Sequence, residues 1–295
     1  MDLNHVRLDM HTRLIPIVGF PMDHSSASYV YNYLFQCYEI NAVMWPYEIQ
    51  PEQLAAFLRA CDLMHIDRFT LTMPLKTPII PLLDEVDACS RLFKSVNVVK
   101  KVDGRYVGSG FDGKGCMGAL QDAGISVAGK RALILGAGSI SGIIGYELAR
   151  LGAGRLSIAN RTFEKAYHIA QTLKNHTGIC ACACTNGVDQ LSREAEQADL
   201  VIQCSALGMY GFGADYDDLS FLQALPKHVP VMEAIVNPPR TRFLSEAERL
   251  GHPIVMGMDM LVSQMQEIFD FWFGIRINEQ ERSACRRILM QHFGY

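Results

Sequence analysis

The sequence predicts an α/β protein in which an N-terminal α/β domain precedes a doubly wound parallel sheet. Three observations predict it. Strand-like and helix-like patterns alternate from 129 to 255, as a parallel sheet covered by helices on both faces requires. A glycine-rich turn, Gly136-Ala137-Gly138-Ser139-Ile140-Ser141-Gly142, separates one short apolar run from one helical pattern. The 295 residues suffice for two domains that each bury a core.

The glycine turn organises the chain. Arg131–Leu135 reads as a buried strand, Ile143–Leu151 as a helix, and Arg155–Ala159 as a second strand ending in Asn160-Arg161-Thr162. Strand, glycine turn, helix, strand is the dinucleotide-binding unit, or Rossmann fold. Gly136 allows the tight turn, and Gly138 lets the backbone approach a pyrophosphate. The helix then presents unpaired amides and its positive dipole end to the anion. Ser141 occupies the third glycine slot, so the fingerprint is imperfect and rests on its context. The alternative is a structural turn that binds nothing. The candidate cofactor residues are Gly136, Ala137, Gly138, Ser139 and Ile140 in the turn, with Asn160, Arg161 and Thr162 after the second strand.

The same strand end speaks to cofactor choice. A site for the ribose diol of NAD places Asp or Glu there. This chain has Asn160 followed by Arg161, and Glu164 comes only a turn later. Arg161 can make a charge-assisted bond to a 2′-phosphate, and Lys165 can add a second positive charge. NADP is therefore favoured, with NAD as the alternative.

Composition narrows the class. Apolar residues make up 49% of the chain and charged residues 20%, with a net charge of -4 and no basic run, which argues against a nucleic-acid partner. The opening MDLNHVRLDMHTRL has no apolar stretch of signal-peptide length, and no segment has membrane-spanning length. A cytoplasmic location is expected. The nine cysteines are scattered without a CxxC pair, which suits free thiols in a reducing compartment. Cys180, Cys182 and Cys184 alternate with alanine on one face of a strand. Half-buried thiols are expected there; the alternative is a metal site with His176, and no metal is expected.

Taken from its start, the chain offers a strand at Leu14–Val18 and a hydroxyl-rich loop from Gly19 to Ser28. Those hydroxyls could cap the following helix (Tyr29–Tyr38) or hold an anion such as a carboxylate. Ala42–Tyr47 reads as a strand, and Pro51–Met64 as a helix with Leu54, Phe57, Leu58 and Leu63 on one side. In Asp67–Lys76 the alternation of Phe, Leu and Met with Thr reads as a strand stopped by Pro74. Lys76, just past it, is either a solvated charge or the partner of a carboxylate. Ser95–Val99 begins a hairpin that turns at Asp103-Gly104. Asp112 stands where a helix over Lys114–Ala123 would take an N-cap. Later come a helix at Phe163–Leu173, the cysteine strand, strands at Asp199–Cys204, Val229–Glu233 and Pro253–Val255, and a helix at Thr241–Leu250. Two final helices, from Gly257 to Phe273 and from Glu279 to Phe293, have no strand of that sheet left to cover. They are expected to return to the first domain. The expected division is 1–112, 113–256 and 257–295.

Several of these stretches, in order from Ile17 to Gly274, resemble the shikimate dehydrogenase family. Gly19-Phe20-Pro21-Met22-Asp23-His24-Ser25-Ser26-Ala27 resembles its G-x-P-x-x-H-S-x-S loop, and Phe69-Thr70-Leu71-Thr72-Met73-Pro74-Leu75-Lys76 its F-N-V-T-x-P-x-K. Ser95-Val96-Asn97-Val98 resembles A-V-N-T, and Gly108-Ser109-Gly110-Phe111-Asp112-Gly113 resembles G-x-N-T-D-G. Asn160-Arg161-Thr162 is the family's N-R-T, and Gly257-Met258-Asp259-Met260-Leu261-Val262-Ser263-Gln264 its G-x-x-M-L-V-x-Q. Each motif alone is modest; in register they are specific.

The resemblance implies an NAD(P)-dependent oxidoreductase that interconverts a ring hydroxyl and ketone of a polyhydroxylated cyclohexene carboxylate. It implies Lys76 and Asp112 as a proton-transfer pair, with Asp112 orienting the ammonium. It implies Thr72, Asn97 and Gln264 as ligands of the ring hydroxyls, Ser25 as a ligand of the carboxylate, and Gly257 on the cofactor side. The chain also departs from the pattern. Ala27 replaces a serine unless Ser26 and Ser28 serve, and Thr70 replaces an asparagine. Gly110-Phe111 replaces Asn-Thr, and Glu233-Ala234-Ile235-Val236 replaces D-x-V-Y, so a tyrosine for the carboxylate is missing. The proton-transfer pair is kept while the carboxylate site is thinned. That favours the family's redox chemistry on shikimate, quinate, aminoshikimate or a related ring acid. The alternative from another class is a catalytically lapsed nucleotide-binding sensor or partner protein. The expected partner is a small cyclic polyhydroxy carboxylate, with the chain a monomer or homodimer.

Overall fold

The computed structural model describes residues 8–22 and 25–294. Most of the stretch read for a leader (1–7), and Asp23 and His24 of the first loop, lie outside them. The chain divides into two compact units, one of residues 1–111 with 265–295 and one of residues 112–264.

The first unit contains β1 (Arg13–Gly19), α1 (Ala27–Cys37), β2 (Ala42–Glu48), α2 (Leu54–Leu63) and β3 (Arg68–Leu71). It continues with β4 (Glu85–Val86), α3 (Ala88–Phe93), β5 (Val98–Val102) and β6 (Arg105–Ser109). They form one sheet in the order β2-β1-β3-β5-β6-β4. Helices separate β1, β2 and β3, so these three run parallel. The β5–β6 hairpin is antiparallel, with Val102 opposite Arg105. Its turn residues Asp103 and Gly104 both have positive φ, 49° and 80°. That is the backbone twist a two-residue hairpin needs, and it explains Asp-Gly there.

One face of this sheet packs on α2 through Val18, Leu54, Leu58, Cys61, Phe69 and Val99. Here the helix differs from its sequence reading. Cys61 is fully buried, whereas Leu63 is 82% exposed. Leu63 lies nine residues beyond Leu54, which at about 100° per residue puts it on the opposite side. β3 is also shorter than expected. It ends at Leu71, Thr70 is buried along with Phe69 and Leu71, and Met73 is exposed. Both faces of the sheet are covered, so the strand does not alternate.

The second unit begins with α4 (Asp112–Asp122), so Asp112 lies in the helix's first turn and not before it. Then come β7 (Arg131–Leu135), α5 (Ser139–Arg150), β8 (Arg155–Ala159), α6 (Phe163–Thr177) and β9 (Cys180–Cys184). They are followed by α7 (Val188–Ala195), β10 (Leu200–Gln203), β11 (Val231–Glu233), α8 (Arg242–Arg249), β12 (Ile254–Val255) and α9 (Gly257–Phe273). All strand pairs are parallel, in the order β12-β11-β10-β7-β8-β9. This is the doubly wound order, and the direction in which successive strands are added reverses between β7 and β10. The short β4, α3 and α7 are not among the elements expected from the sequence. On the edge strand β9, Cys180 is exposed, Cys182 half-buried and Cys184 buried. No group of metal-ligating side chains occurs among the described residues.

The division between the units falls inside α9, after Gln264. In the first unit, the rest of α9 and α10 (Glu279–His292) pack with α1 and the sheet. Tyr31 stacks on Phe269 at 6.0 Å, and the Trp272 indole donates to the Val99 carbonyl at 3.1 Å. No described helix is long and apolar enough to cross a membrane.

Candidate active site

In the first unit the candidate residues gather at the C-terminal ends of the parallel strands, where open α/β sheets bind ligands. Backbone bonds join these ends: Thr72 N to Val18 O at 2.8 Å, Phe20 N to Met73 O at 3.0 Å, and Ile49 N to Gly19 O at 2.9 Å. The fit demands glycine at 19. A Cβ there would overlap the Thr72 methyl group and come within 2.9 Å of the Met73 carbonyl. Ser25 N donates to Met22 O at 3.0 Å, so Ser25 follows this junction and is half-buried. Capping does not explain the hydroxyls here: Ser26 is the N-cap of α1 yet makes no side-chain cap bond.

Lys76 is half-buried, and its carbonyl accepts from Val96 N at 2.9 Å. Next along is Asn97, only 6% exposed. Its carbonyl accepts from Leu71 N at 2.8 Å. Its Oδ1 accepts from Phe111 N at 2.9 Å. The side-chain oxygen is thereby engaged by the backbone. Phe111, one of the departures from the family pattern, is buried and meets Phe271 edge-on at 5.4 Å. The hydroxyls of Thr70 and Ser95 are buried without a hydrogen-bond partner.

In the second unit, Asp112 and Gln264 come together. Gln264 Nε2 donates to Asp112 Oδ1 at 3.0 Å, and both residues are buried. Glycines make this possible. A Cβ on Gly115 would lie 2.7 Å from the Gln264 Cβ and 2.8 Å from the Met260 carbonyl, so α4 and α9 approach backbone to backbone. Gly113 does the same for α5, where a Cβ would sit 2.8 Å from the Ile143 carbonyl.

The glycine turn has the features a dinucleotide requires. Gly136 has φ of 107°, and a Cβ there would approach Ser205 N to 2.8 Å. Gly138 is exposed, and a Cβ on it would meet nothing within 4 Å. It is the N-cap of α5, and no side chain caps the helix amides. Open space in front of uncapped amides fits a pyrophosphate. Ser139 and Ile140 are half-buried, while Ser141 in the third glycine slot is wholly buried and small enough for the packing. Asn160 holds the two loops together: its Oδ1 accepts from Ala137 N at 3.2 Å and its Nδ2 donates to Thr162 O at 2.9 Å. Arg161 and Thr162 are exposed. Gly257 is a packing glycine, since a Cβ there would overlap the Ile235 carbonyl.

The contacts of two polar groups could not be read from the sequence. Glu233, at the end of β11, is fully buried, and burial pushes its carboxyl up to about 8. Its Oε2 accepts from Thr241 Oγ1 at 2.7 Å, while Oε1 has no partner. Glu48, at the end of β2, accepts from Met22 N at 2.9 Å. Glu233 stands at the first position of the stretch that replaces D-x-V-Y, which gave no hint of its burial, and Glu48 carries no motif that marks it.

Residues 17–99 match the family model of the shikimate dehydrogenase substrate binding domain, and residues 119–210 match that of shikimate / quinate 5-dehydrogenase. The chain is 34% identical over 269 residues to shikimate dehydrogenase (NADP(+)) of Alkaliphilus metalliredigens, covering 91% of this chain and 94% of that protein. The chain belongs to the shikimate dehydrogenase family. Among solved structures, shikimate 5-dehydrogenase from Listeria monocytogenes, in complex with shikimate and NAD, superposes with a TM-score of 0.85 at 26% identity. That match covers 96% of this chain and 98% of that one. The ligand-free 5-ketofructose reductase of Gluconobacter sp. strain CHM43 superposes with a TM-score of 0.84 at 26% identity, covering 97% and 100%. Family membership identifies the motifs from Gly19 to Gln264 as those of an oxidoreductase family and does not favour a lapsed sensor.

Proposed function

We propose that this protein is an NADP-dependent oxidoreductase that interconverts a ring hydroxyl and ketone of shikimate or a related cyclic hydroxy acid such as quinate. The observation that carries the reading is the buried Asp112 carboxylate held by Gln264, in a family whose members include shikimate dehydrogenase (NADP(+)). Bound at the glycine turn, the nicotinamide dinucleotide supplies the hydride acceptor or donor.

The chain's own residues do the rest. Lys76 takes the proton from the reacting hydroxyl, or returns it to the ketone oxygen, as a positioned general acid–base. Asp112 pairs with its ammonium, and Gln264 fixes the carboxylate's rotamer. Asn97 donates from Nδ2 to a ring oxygen, Thr72 bonds a second, and Gln264 accepts from a hydroxyl through Oε1. Ser25 holds the substrate carboxylate. The uncapped α5 amides and Gly138 take the pyrophosphate, Asn160 keeps the turn in shape, and Arg161 meets the 2′-phosphate. On this reading residues 1–111 with 265–295 form the substrate unit and residues 112–264 the dinucleotide unit, so the division falls eight residues later in the last part of the chain than the expected 257.

The test is the change in reduced-nicotinamide absorbance with shikimate, quinate and related ring acids, each with NADP and with NAD. Turnover with a ring acid supports the reading; no turnover with any of them rejects it.

A further inference from the structure

The chain carrying Ser25 is tied to the sheet in an unusual way. Phe20 and Gly19 are held by backbone bonds to the neighbouring strand ends. Met22 N instead donates to a side chain, Glu48 Oε1, at 2.9 Å. Glu48 is the last residue of β2 and is exposed. Met22 is buried, and its sulfur lies 2.7 Å from where a Cβ on Gly19 would stand, on the same glycine that the Thr72 methyl group covers. Met22 O then accepts from Ser25 N at 3.0 Å. Glu48, Met22 and Ser25 thus form one chain of hydrogen bonds, and the helix cap that could have held Ser25's neighbour is not made.

We infer that Glu48 positions Ser25 and sets the charge preference of the substrate site. As an acceptor it fixes the backbone at Met22, and through it Ser25. As a carboxylate it adds a negative charge to the segment that carries Ser25, which it grips through Met22, and so weakens the binding of an acid relative to its neutral ester. Like charges disfavour the anion. The inference rests on the ring-hydroxy-acid reading and narrows it to substrates whose recognition depends on ring hydroxyls more than on the carboxylate.

Glu48→Gln keeps an oxygen acceptor and removes the charge; Glu48→Ala removes both. Three readouts apply: hydrogen exchange at the Met22 amide, and kcat and KM for shikimate and for its methyl ester. In Glu48→Gln the Met22 amide stays protected, and KM for the acid falls by about twofold to fivefold while that for the ester stays put, as expected for one exposed charge. In Glu48→Ala the Met22 amide exchanges about tenfold faster or more, and KM rises for acid and ester alike, as loss of a hydrogen bond to a charged group predicts. Unchanged exchange in Glu48→Ala overturns the positioning role. Equal KM responses of acid and ester in Glu48→Gln, or no response, overturn the charge role while leaving the ring-acid reading intact. A wild type that turns over neither compound overturns the charge role and the ring-acid reading together, and Met22 exchange still decides the positioning role.

Discussion

Gln264 Nε2 donates to Asp112 Oδ1 at 3.0 Å, across 152 residues of sequence and out of contact with solvent. A buried carboxylate needs such donors, because an ionised group without them pays the full cost of desolvation. The contact rests on Gly115, which lets α9 lie against α4. It uses one of the two Nε2 hydrogens of Gln264 on Asp112. Gln264→Ala is expected to lower kcat/KM for the ring acid by about tenfold to a hundredfold, since a hydrogen bond to a charged group is worth about 1.5–3 kcal/mol. The KM for NADP should not move. Steady-state kinetics with each substrate varied in turn would reveal an unaltered kcat/KM, and that result would remove Gln264 from the site.

Lys76→Ala should lower kcat by about two orders of magnitude or more, the usual worth of general acid–base catalysis. The dissociation constant of NADP should stay nearly constant, because Lys76 and the glycine turn belong to different units. Turnover at the wild-type rate in this variant would sink the assignment of Lys76.

Gly136 and Gly138 should respond in opposite ways. At Gly136 the positive φ and the nearby Ser205 amide leave no room for a side chain. Gly136→Ala should therefore lower thermal stability by about 1–3 kcal/mol. At Gly138 a Cβ meets nothing. Gly138→Ala should melt like the wild type and yet raise the KM for NADP, because the added methyl group enters the space assigned to the pyrophosphate. Paired melting curves and kinetics test both; a Gly138→Ala enzyme with unaltered KM would empty that space of its assigned ligand.

These positions also show what was legible in the sequence. The glycine turn could be read because strand, turn and helix lie next to one another in the chain, and each has its own periodicity and turn chemistry. The hairpin at Asp103-Gly104 could be read for the same reason. Leu63 was misplaced because it ends an apolar pattern whose phase belongs to Leu54, Leu58 and Cys61, and no local signal distinguishes a thiol from a leucine in filling the buried slot. The grip of Glu48 on Met22 and that of Gln264 on Asp112 join segments far apart in sequence, so only the folded chain brings them together. The resemblance to a family could name Asp112 and Gln264 as site residues, but not their contact with each other.

Glu233 makes stability depend on pH. Burial lifts its carboxyl from an ordinary 4.5 to about 8 in the folded chain. Between those values the folded state holds a proton that the unfolded state has released. Stability from this group is thus complete below about pH 4.5, declines as pH rises toward 8, and is level above it, at a slope of up to about 1.4 kcal/mol per pH unit. Glu233→Gln keeps an acceptor for Thr241 and cannot ionise. The melting temperature of the variant minus that of the wild type should rise between about pH 5 and pH 8, then level off. A difference that is flat across this range would mean that Glu233 ionises normally.

Cofactor selectivity turns on Arg161. Asn160, which ends the link after β8, uses both ends of its amide on Ala137 and Thr162, so it shapes the turn and has little left for the ribose. Arg161 is exposed beside it, just before α6, and no carboxylate stands at the end of β8. Glu164 lies in the first turn of α6 and would disfavour a phosphate, while Lys165 follows it and offsets that charge. A guanidinium bonded to a 2′-phosphate is worth about 1.5–3 kcal/mol, or about tenfold to a hundredfold in affinity. Arg161→Ala should therefore reduce kcat/KM for NADP by about that factor and leave kcat/KM for NAD within about twofold, because the diol of NAD has no charge for Arg161 to meet. Glu164→Gln should shift the ratio the other way, toward NADP. Kinetics with both cofactors in the wild type and the two variants decide the matter. A wild type that prefers NAD, or an Arg161→Ala variant with unchanged selectivity, would place the discriminating charge elsewhere.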